Sequence, residues 1–343
     1  MMRALVVERP GAAAVRPIAR PAAGAGEVLV DVAAAGICGS DLELLEGRRP
    51  LAFVRYPIVP GHEWAGTIVE VGDGVEGLQV GDRVVAEGIR PCGQCARCAE
   101  GLTNLCSSGY AETGFTHQGG FAEYLAVPAE LVHRLPPGSD LDAAALLEPA
   151  ACVAGGLLEV DLRPGLAVAV VGAGTLGLLA VALLRLTSPA RLALVGTRAD
   201  RLALGRELGA GETCDVRVEE AARTLGGDFD LVFEAASRPE GAATAVGLAR
   251  RGGTVVVEGI SGATRATIDP DLIVLGHLRV QGVFGASRAA WRWVVELFST
   301  GQLDPAPLIT HRFRLEEFEA AFAVLRERNA GALKVELVPG LAA

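Results

Sequence analysis

Residues 166–184 read LAVAVVGAGTLGLLAVALL, nineteen residues without a single charge. By hydropathy alone such a run is long enough to be taken for a membrane span. Its glycines argue for something else. Gly172, Gly174 and Gly177 divide it into a β-branched run, Val168 to Val171, and a Leu/Ala-rich run that suits a helix. The expectation is a buried strand, a tight turn and a helix, with no membrane contact. In Gly-x-Gly-x-x-Gly the first glycine permits the turn, the second lets a pyrophosphate approach the backbone, and the third lets helix and strand pack closely. Thr175 and Leu176 open the helix, whose N-terminus presents the positive end of its dipole to phosphate. Strand, glycines and helix in this order predict a dinucleotide site.

Working outward, the next strand ends in Gly196-Thr197-Arg198, about 20 residues on, where an NAD site usually carries an acid for the ribose hydroxyls. Here Gly196 offers room, Thr197 a hydroxyl and Arg198 a guanidinium fork for a 2′-phosphate, with Arg201 beside it. NADP is therefore favoured over NAD, with Asp200 as the competing ribose ligand. Apolar strands at 167–171, 192–195, 230–234, 254–258 and 279–283 alternate with helical stretches. That rhythm predicts an α/β domain with a parallel sheet. Before residue 150 the chain reads instead as short strands between glycine-rich turns, such as 28–32, 67–71 and 82–85, which predicts a compact β-rich domain. After Gly285 come a helical stretch from Ser287 to Ser299, an amphipathic one from Leu315 to Arg328 and a strand from Ala332 to Val338.

Composition bounds the function. The chain has 343 residues, enough for two domains, and is half apolar with 21% charged residues. Its formal charge is −10, from 31 Lys and Arg against 41 Asp and Glu, which argues against nucleic acid as a partner. Lys334 is the only lysine; arginine everywhere else reads as compositional bias. Seven cysteines, four of them within fifteen residues, do not make a disulfide framework. No secretory leader is legible at the start, so a reducing, cytoplasmic setting is expected.

The four crowded cysteines are Cys92, Cys95, Cys98 and Cys106. Four thiolates can close a tetrahedral zinc site with no open position, which predicts a structural metal organising a loop with little apolar core of its own. Cys38, His62, Glu63 and Glu148 form a second, dispersed set. No local spacing brings these four together, and singly each also reads as an ordinary buried or surface side chain.

With those residues quoted, the chain resembles the zinc-containing medium-chain dehydrogenase/reductase (zinc alcohol dehydrogenase) family over essentially its whole length. Gly61-His62-Glu63-x-x-Gly66-x-x-x-x-x-Gly72-x-x-Val75 is similar to that family's zinc signature, and the cysteine loop to its structural-zinc loop. The resemblance implies a GroES-like catalytic domain at 1–151 and 286–343, interrupted by a Rossmann domain at 152–285. It implies two zincs per chain, the catalytic one bound by Cys38, His62 and a carboxylate, either Glu63 or Glu148. It also implies that Ser40 relays the substrate proton, and that the protein forms a homodimer or homotetramer. Glu43 stands where many members have a relay histidine, and with Arg48 it is a candidate substrate contact. Glu148-Pro149 is similar to the sorbitol and sugar dehydrogenase branch, while Gly196-Thr197-Arg198 is similar to NADP-dependent alcohol dehydrogenases.

The implied activity is hydride transfer between NAD(P) and a secondary alcohol or ketone of a small polyol, sugar or cyclitol, with zinc as Lewis acid. The alternatives are an NADP-dependent simple secondary-alcohol dehydrogenase, a zinc-independent quinone or enone reductase of the same fold, and a catalytically silent binding protein.

Overall fold

The computed structural model describes residues 1–262, 267–327 and 331–341. The first stretch of chain supplies strands β1 (Met2–Arg9), β2 (Ala12–Ile18), β3 (Glu27–Gly36), β4 (Glu63–Val71), β5 (Arg83–Ala86), β6 (Tyr124–Pro128) and β7 (Val132–Arg134), with helices α1 (Gly39–Glu46), α2 (Ala96–Ala99), α3 (Leu141–Ala145) and α4 (Leu147–Leu158). Next come β8 (Ala167–Val171), α5 (Thr175–Leu184), β9 (Arg191–Gly196), α6 (Ala199–Glu207), β10 (Glu212–Asp215), α7 (Ala221–Leu225), β11 (Phe229–Glu234), α8 (Pro239–Leu248), β12 (Ala249–Val257), α9 (Pro270–Gly276) and β13 (Arg279–Gly282). The chain ends with α10 (Arg288–Ser299), β14 (Ile309–Arg314), α11 (Phe318–Arg326) and β15 (Lys334–Val338).

Two compact units result, Met1–Glu148 with Ala286–Ala343, and Pro149–Gly285. The boundary expected between 151 and 152 falls inside α4, which runs unbroken from Leu147 to Leu158. The last residue of the expected 315–328 helix, Arg328, lies outside the described residues.

In the second unit six strands run in the order β10-β9-β8-β11-β12-β13, all parallel. β8 lies at its centre, and Val168, Ala169 and Val170 are fully buried. Burial on both faces is why its sequence is a continuous apolar run without alternation. Residues Gly177 to Leu184 of α5 are buried as well, so the helix is apolar all round. The uncharged nineteen residues are thus a core strand and a core helix, and no described helix is long and apolar enough to cross a membrane.

In the first unit the main sheet runs β14-β15-β3-β4-β5-β7, with β6 also on β3, and β1-β2 forms a hairpin. β15 pairs antiparallel with β3 and β3 antiparallel with β4. Val28, Val30, Trp64, Ile68, Phe121 and Val335 belong to one buried cluster that fixes these strands against each other. Ser287 caps α10, its hydroxyl accepting from the Ala290 N–H at 3.4 Å, so the helix begins where the serine suggests.

Candidate active site and metal centres

The cysteine loop is built first. Cys95 is the N-cap of the short α2, and the Sγ atoms of Cys92, Cys95, Cys98 and Cys106 all lie within 4.8 Å of one another. Cys95 Sγ is 3.5 Å from Cys98 Sγ and 4.0 Å from Cys106 Sγ. A tetrahedral zinc with bonds near 2.3 Å sets its sulfurs about 3.8 Å apart, so the set fits the metal. The Cys92 N–H donates to Cys106 Sγ at 3.3 Å, and Ser108 Oγ lies 3.0 Å from the same sulfur. Hydrogen bonds from Ser107 pull the Cys95 thiol down to about 5, and those from Ser108 pull Cys106 to about 7. Both shifts favour the thiolate that a metal needs, whereas burial and the Cys95 side chain push the Cys98 thiol up to about 11. Of the residues from 92 to 106 only Thr103 is buried, so the lobe has no apolar core to hold it without a metal.

The dispersed set converges through strand pairing. Gly36, the last residue of β3, stands opposite Glu63, the first of β4, so Cys38 just beyond β3 and His62 just before β4 meet at one sheet end. Ligand atoms of Cys38, His62 and Glu63 lie within 4.8 Å of one another. Glu148 is not in that group. It sits at the start of α4, partly buried, and burial followed by repulsion from Glu63 and Glu112 pushes its carboxyl up to about 7.

The surroundings of the three are buried and charged. The Asp41 carboxylate accepts from the Cys38 N–H at 2.9 Å, and its other oxygen faces His62 Nδ1 at 3.6 Å. Asp41 Oδ1 and His62 Nδ1 are both buried without a hydrogen-bond partner, an arrangement suited to a histidine that spends Nε2 on a metal while its Nδ1–H turns to a carboxylate. Burial pushes the His62 imidazole down, but the Asp41 charge beside it outweighs burial and leaves the ring well above its ordinary value. The ring packs on Phe115 at 4.7 Å, and the Arg49 guanidinium stacks over Phe115 at 3.6 Å.

Lys334 Nζ pairs with Glu63 and donates to the Ile37 carbonyl at 3.3 Å, both side chains being buried. Gly36 makes this pair possible: a Cβ there would collide with Glu63 Oε2 and come within 3.4 Å of Lys334 Cδ. Ser40 lies in the first turn of α1, and its hydroxyl bonds to no other described residue. Glu43 is engaged by Arg48, at 3.6 Å.

In the second unit the three glycines separate by role. Gly172 has φ +112°, and a Cβ on it would meet the Ala235 backbone at 2.7 Å. A Cβ on Gly177 would overlap the Gly172 carbonyl oxygen, so α5 can begin this close to β8 only with glycine there. Nothing lies within 4 Å of a Cβ on Gly174, which leaves open space over the turn. The first helical bond joins Leu178 N–H to Gly174 O, so the N–H groups of Thr175, Leu176 and Gly177 have no acceptor within the helix. A helix start of this kind can accept a phosphate.

At the end of β9, Gly196 is buried, and a Cβ there would meet Ala173 Cβ at 2.8 Å. Its bareness therefore serves packing on the glycine turn before it makes room for a ligand. Arg198 forks onto Asp200, at 2.7 and 3.2 Å. Arg201 is partly buried beside them, and its guanidinium is pushed down by burial and by Arg198. Arg217, paired with Asp215 at 2.6 Å, also acts on Arg198 and Asp200.

Sequence reading passed over four of these residues. Asp41 and Gly36 flank the quoted Cys38 without a spacing rule to single them out. Arg217 is one of many arginines, whereas Lys334 carried a signal as the sole lysine.

Comparison with known proteins shows the family. Residues 24–137 match the alcohol dehydrogenase GroES-like domain and residues 175–300 the zinc-binding dehydrogenase domain. The chain is 34% identical over 323 residues to an L-threonine 3-dehydrogenase of Bacillus subtilis (strain 168), covering 91% of each. It is 34% identical over 334 residues to a sorbitol dehydrogenase of Arabidopsis thaliana, covering 94% of this chain and 91% of the relative. A zinc-binding dehydrogenase from Sinorhizobium meliloti 1021, solved bound to NADP, superposes with a TM-score of 0.91 at 33% identity over 99% of both chains. The chain therefore belongs to the zinc-containing medium-chain dehydrogenase/reductase family and is a dehydrogenase of the alcohol dehydrogenase type.

Proposed function

We propose that this dehydrogenase transfers hydride between NADP and a secondary alcohol or ketone of a small polyol, sugar or cyclitol, using one catalytic and one structural zinc per chain. The observation that carries the reading is the convergence of Cys38, His62 and Glu63 at the β3–β4 sheet end. A zinc held by these three would polarise a substrate hydroxyl or carbonyl as a Lewis acid. The coenzyme would exchange the hydride, so that oxidation of the alcohol releases ketone, reduced coenzyme and one proton. Asp41 orients His62, Lys334 holds the Glu63 carboxylate, and Ser40, without an internal partner, is available to take the alcohol proton. Glu148, poised near neutrality close to the three, is suited to bonding a neighbouring substrate hydroxyl, as a polyol offers. Arg198, Arg201 and Arg217 support a 2′-phosphate, which would draw Arg198 from Asp200.

The same reading includes a reducing cytoplasmic setting, because four adjacent thiols hold a metal only while they stay unoxidised. It also includes association into a homodimer or homotetramer. β13 is an edge strand with every residue exposed, and beside it in sequence Val274 and Leu275 of α9 are 74% and 72% exposed. A bare, apolar sheet edge suits pairing with a second copy.

The test is initial-rate formation of reduced coenzyme with NADP and NAD in parallel, on polyols, cyclitols, sugars, simple secondary alcohols and L-threonine. Turnover confined to polyhydroxylated compounds with NADP is the expected result. Turnover confined to simple alcohols or to L-threonine would overturn the substrate class, and equal efficiency with both coenzymes the NADP preference.

A further inference from the structure

The first unit contains a cavity of about 510 Å³ between the β1–β2 hairpin, the 57–59 segment and residues 117–126. That volume falls within the range of small-molecule sites, about 300–1,000 Å³. Its walls are mostly apolar, with Met2, Val6, Ile18, Ile58 and Leu125 among them. Its polar lining carries no acid. It includes Arg16, Arg90 and His117 and no Asp or Glu, in a chain whose formal charge is −10.

Arg90 is the informative residue. Its Nε donates to Thr113 Oγ1 at 3.1 Å, and it makes no ion pair with any described carboxylate. Burial holds its guanidinium below the ordinary range against the opposing charge of Glu27, and Arg90 and Arg55 add to burial in lowering His117. His117 Nδ1 is engaged by Thr116 Oγ1 at 3.1 Å, and Gln118 Oε1 by the Val59 N–H at 2.7 Å. The two terminal nitrogens of Arg90 make no hydrogen bond to a described residue and can serve as a bidentate fork, and Gln118, whose amide N–H₂ is not used in the Val59 bond, lines the same cavity. Arg16, at the rim, is already neutralised by Glu8.

We infer that this cavity is a second ligand site, which takes a singly charged amphiphile whose carboxylate lies on Arg90 and whose aliphatic or aromatic body fills the chamber. A partly buried guanidinium without an acid partner gains a charge-assisted pair, and the apolar walls lose contact with water. A neutral molecule of the same shape recovers only the second contribution. The inference is independent of the substrate assignment, because none of these residues is among the proposed zinc or coenzyme ligands.

The experiment is calorimetric titration of the zinc-loaded protein with decanoate and with decanol, at saturating coenzyme and substrate analogue so that the catalytic site is filled. One decanoate per chain is expected, with affinity about tenfold or more above that of decanol. Arg90→Met should weaken decanoate by about tenfold and leave decanol unchanged. Ala19→Glu, at an exposed position on the cavity wall, introduces a repelling charge without disturbing the core and should weaken decanoate in the same direction. Turnover of both variants without decanoate should equal that of the parent protein. Absence of binding up to about 1 mM, equal affinity for acid and alcohol, loss of binding on filling the catalytic site, or decanoate affinity unchanged in both variants would each overturn the inference.

Discussion

Lys334 is the chain's only ε-ammonium, and it is buried against Glu63. Its sequence context showed only that it was alone, since what it touches is set by strand pairing across two neighbours. Removing it with Lys334→Met strands a buried carboxylate beside the proposed metal, which should cost about 3–5 kcal/mol in denaturant unfolding and reduce zinc retention. A loss below about 1 kcal/mol would mean that Glu63 finds its counter-charge elsewhere. Cys38→Ala should lower bound zinc from about two to about one per chain and abolish turnover while unfolding changes little, because the Cys92 set keeps its own metal. An unchanged metal count by atomic emission would refute the catalytic assignment. For the coenzyme, Arg198→Ala should raise the NADP KM by about tenfold or more and leave NAD nearly untouched, since only the 2′-phosphate uses the charge. The Asp200 partner of Arg198 is the feature that sequence could not weigh: with Arg198 at the N-cap and Asp200 in the first turn of α6, the pair could as easily have pointed away from each other.

Among the elements, β8 and α5 were the most legible, because an uninterrupted apolar run with glycines at three fixed positions admits few other structures. Gly177→Ala tests that reading directly. Its methyl would overlap the Gly172 oxygen, so α5 must move outward, with a stability loss of at least about 2 kcal/mol and weakened binding of either coenzyme. β10 was missed because four residues carrying Glu212, Thr213 and Asp215 give no apolar run, and they become a strand only by parallel pairing with β9. β15 hides a different feature. Glu336 is fully buried, both carboxylate oxygens lack a hydrogen-bond partner among the described residues, and Arg312 Nε is 3.6 Å away. Burial, with Asp142 adding to it, pushes its carboxyl up to about 8, against an ordinary value of 4.5. The folded state thus holds a proton that the unfolded chain releases. Stability from this group is complete below about 4.5 and declines as pH rises toward about 8. Glu336→Gln, neutral at every pH, should flatten that decline, giving a higher melting temperature than the parent at pH above about 8 and little difference near pH 4. Parallel melting curves that keep the same offset at both ends would show that Glu336 is not the responsible group.

Over the whole molecule, the division into a β-rich part and a parallel α/β part followed from two hydrophobic rhythms, and the four-cysteine loop from spacing alone. The candidate zinc cluster with its Lys334 partner did not, because its members are separated by 24 residues between Cys38 and His62 and by 271 between Glu63 and Lys334. Only antiparallel pairing of β15, β3 and β4 collects them. The bare β13 edge gives a prediction at this scale: light scattering should report a mass of at least two chains, and Val280→Pro, which cannot keep a strand-edge N–H, should shift it toward one. A parent protein that runs as one chain would remove the edge from consideration. Lys334 has a further, spectroscopic consequence. Growth on lysine labelled with ¹⁵N at Nζ would place a single labelled side-chain nitrogen in each chain, beside the proposed catalytic metal. One resonance would then follow loading with zinc, coenzyme and substrate in turn, with no assignment to make.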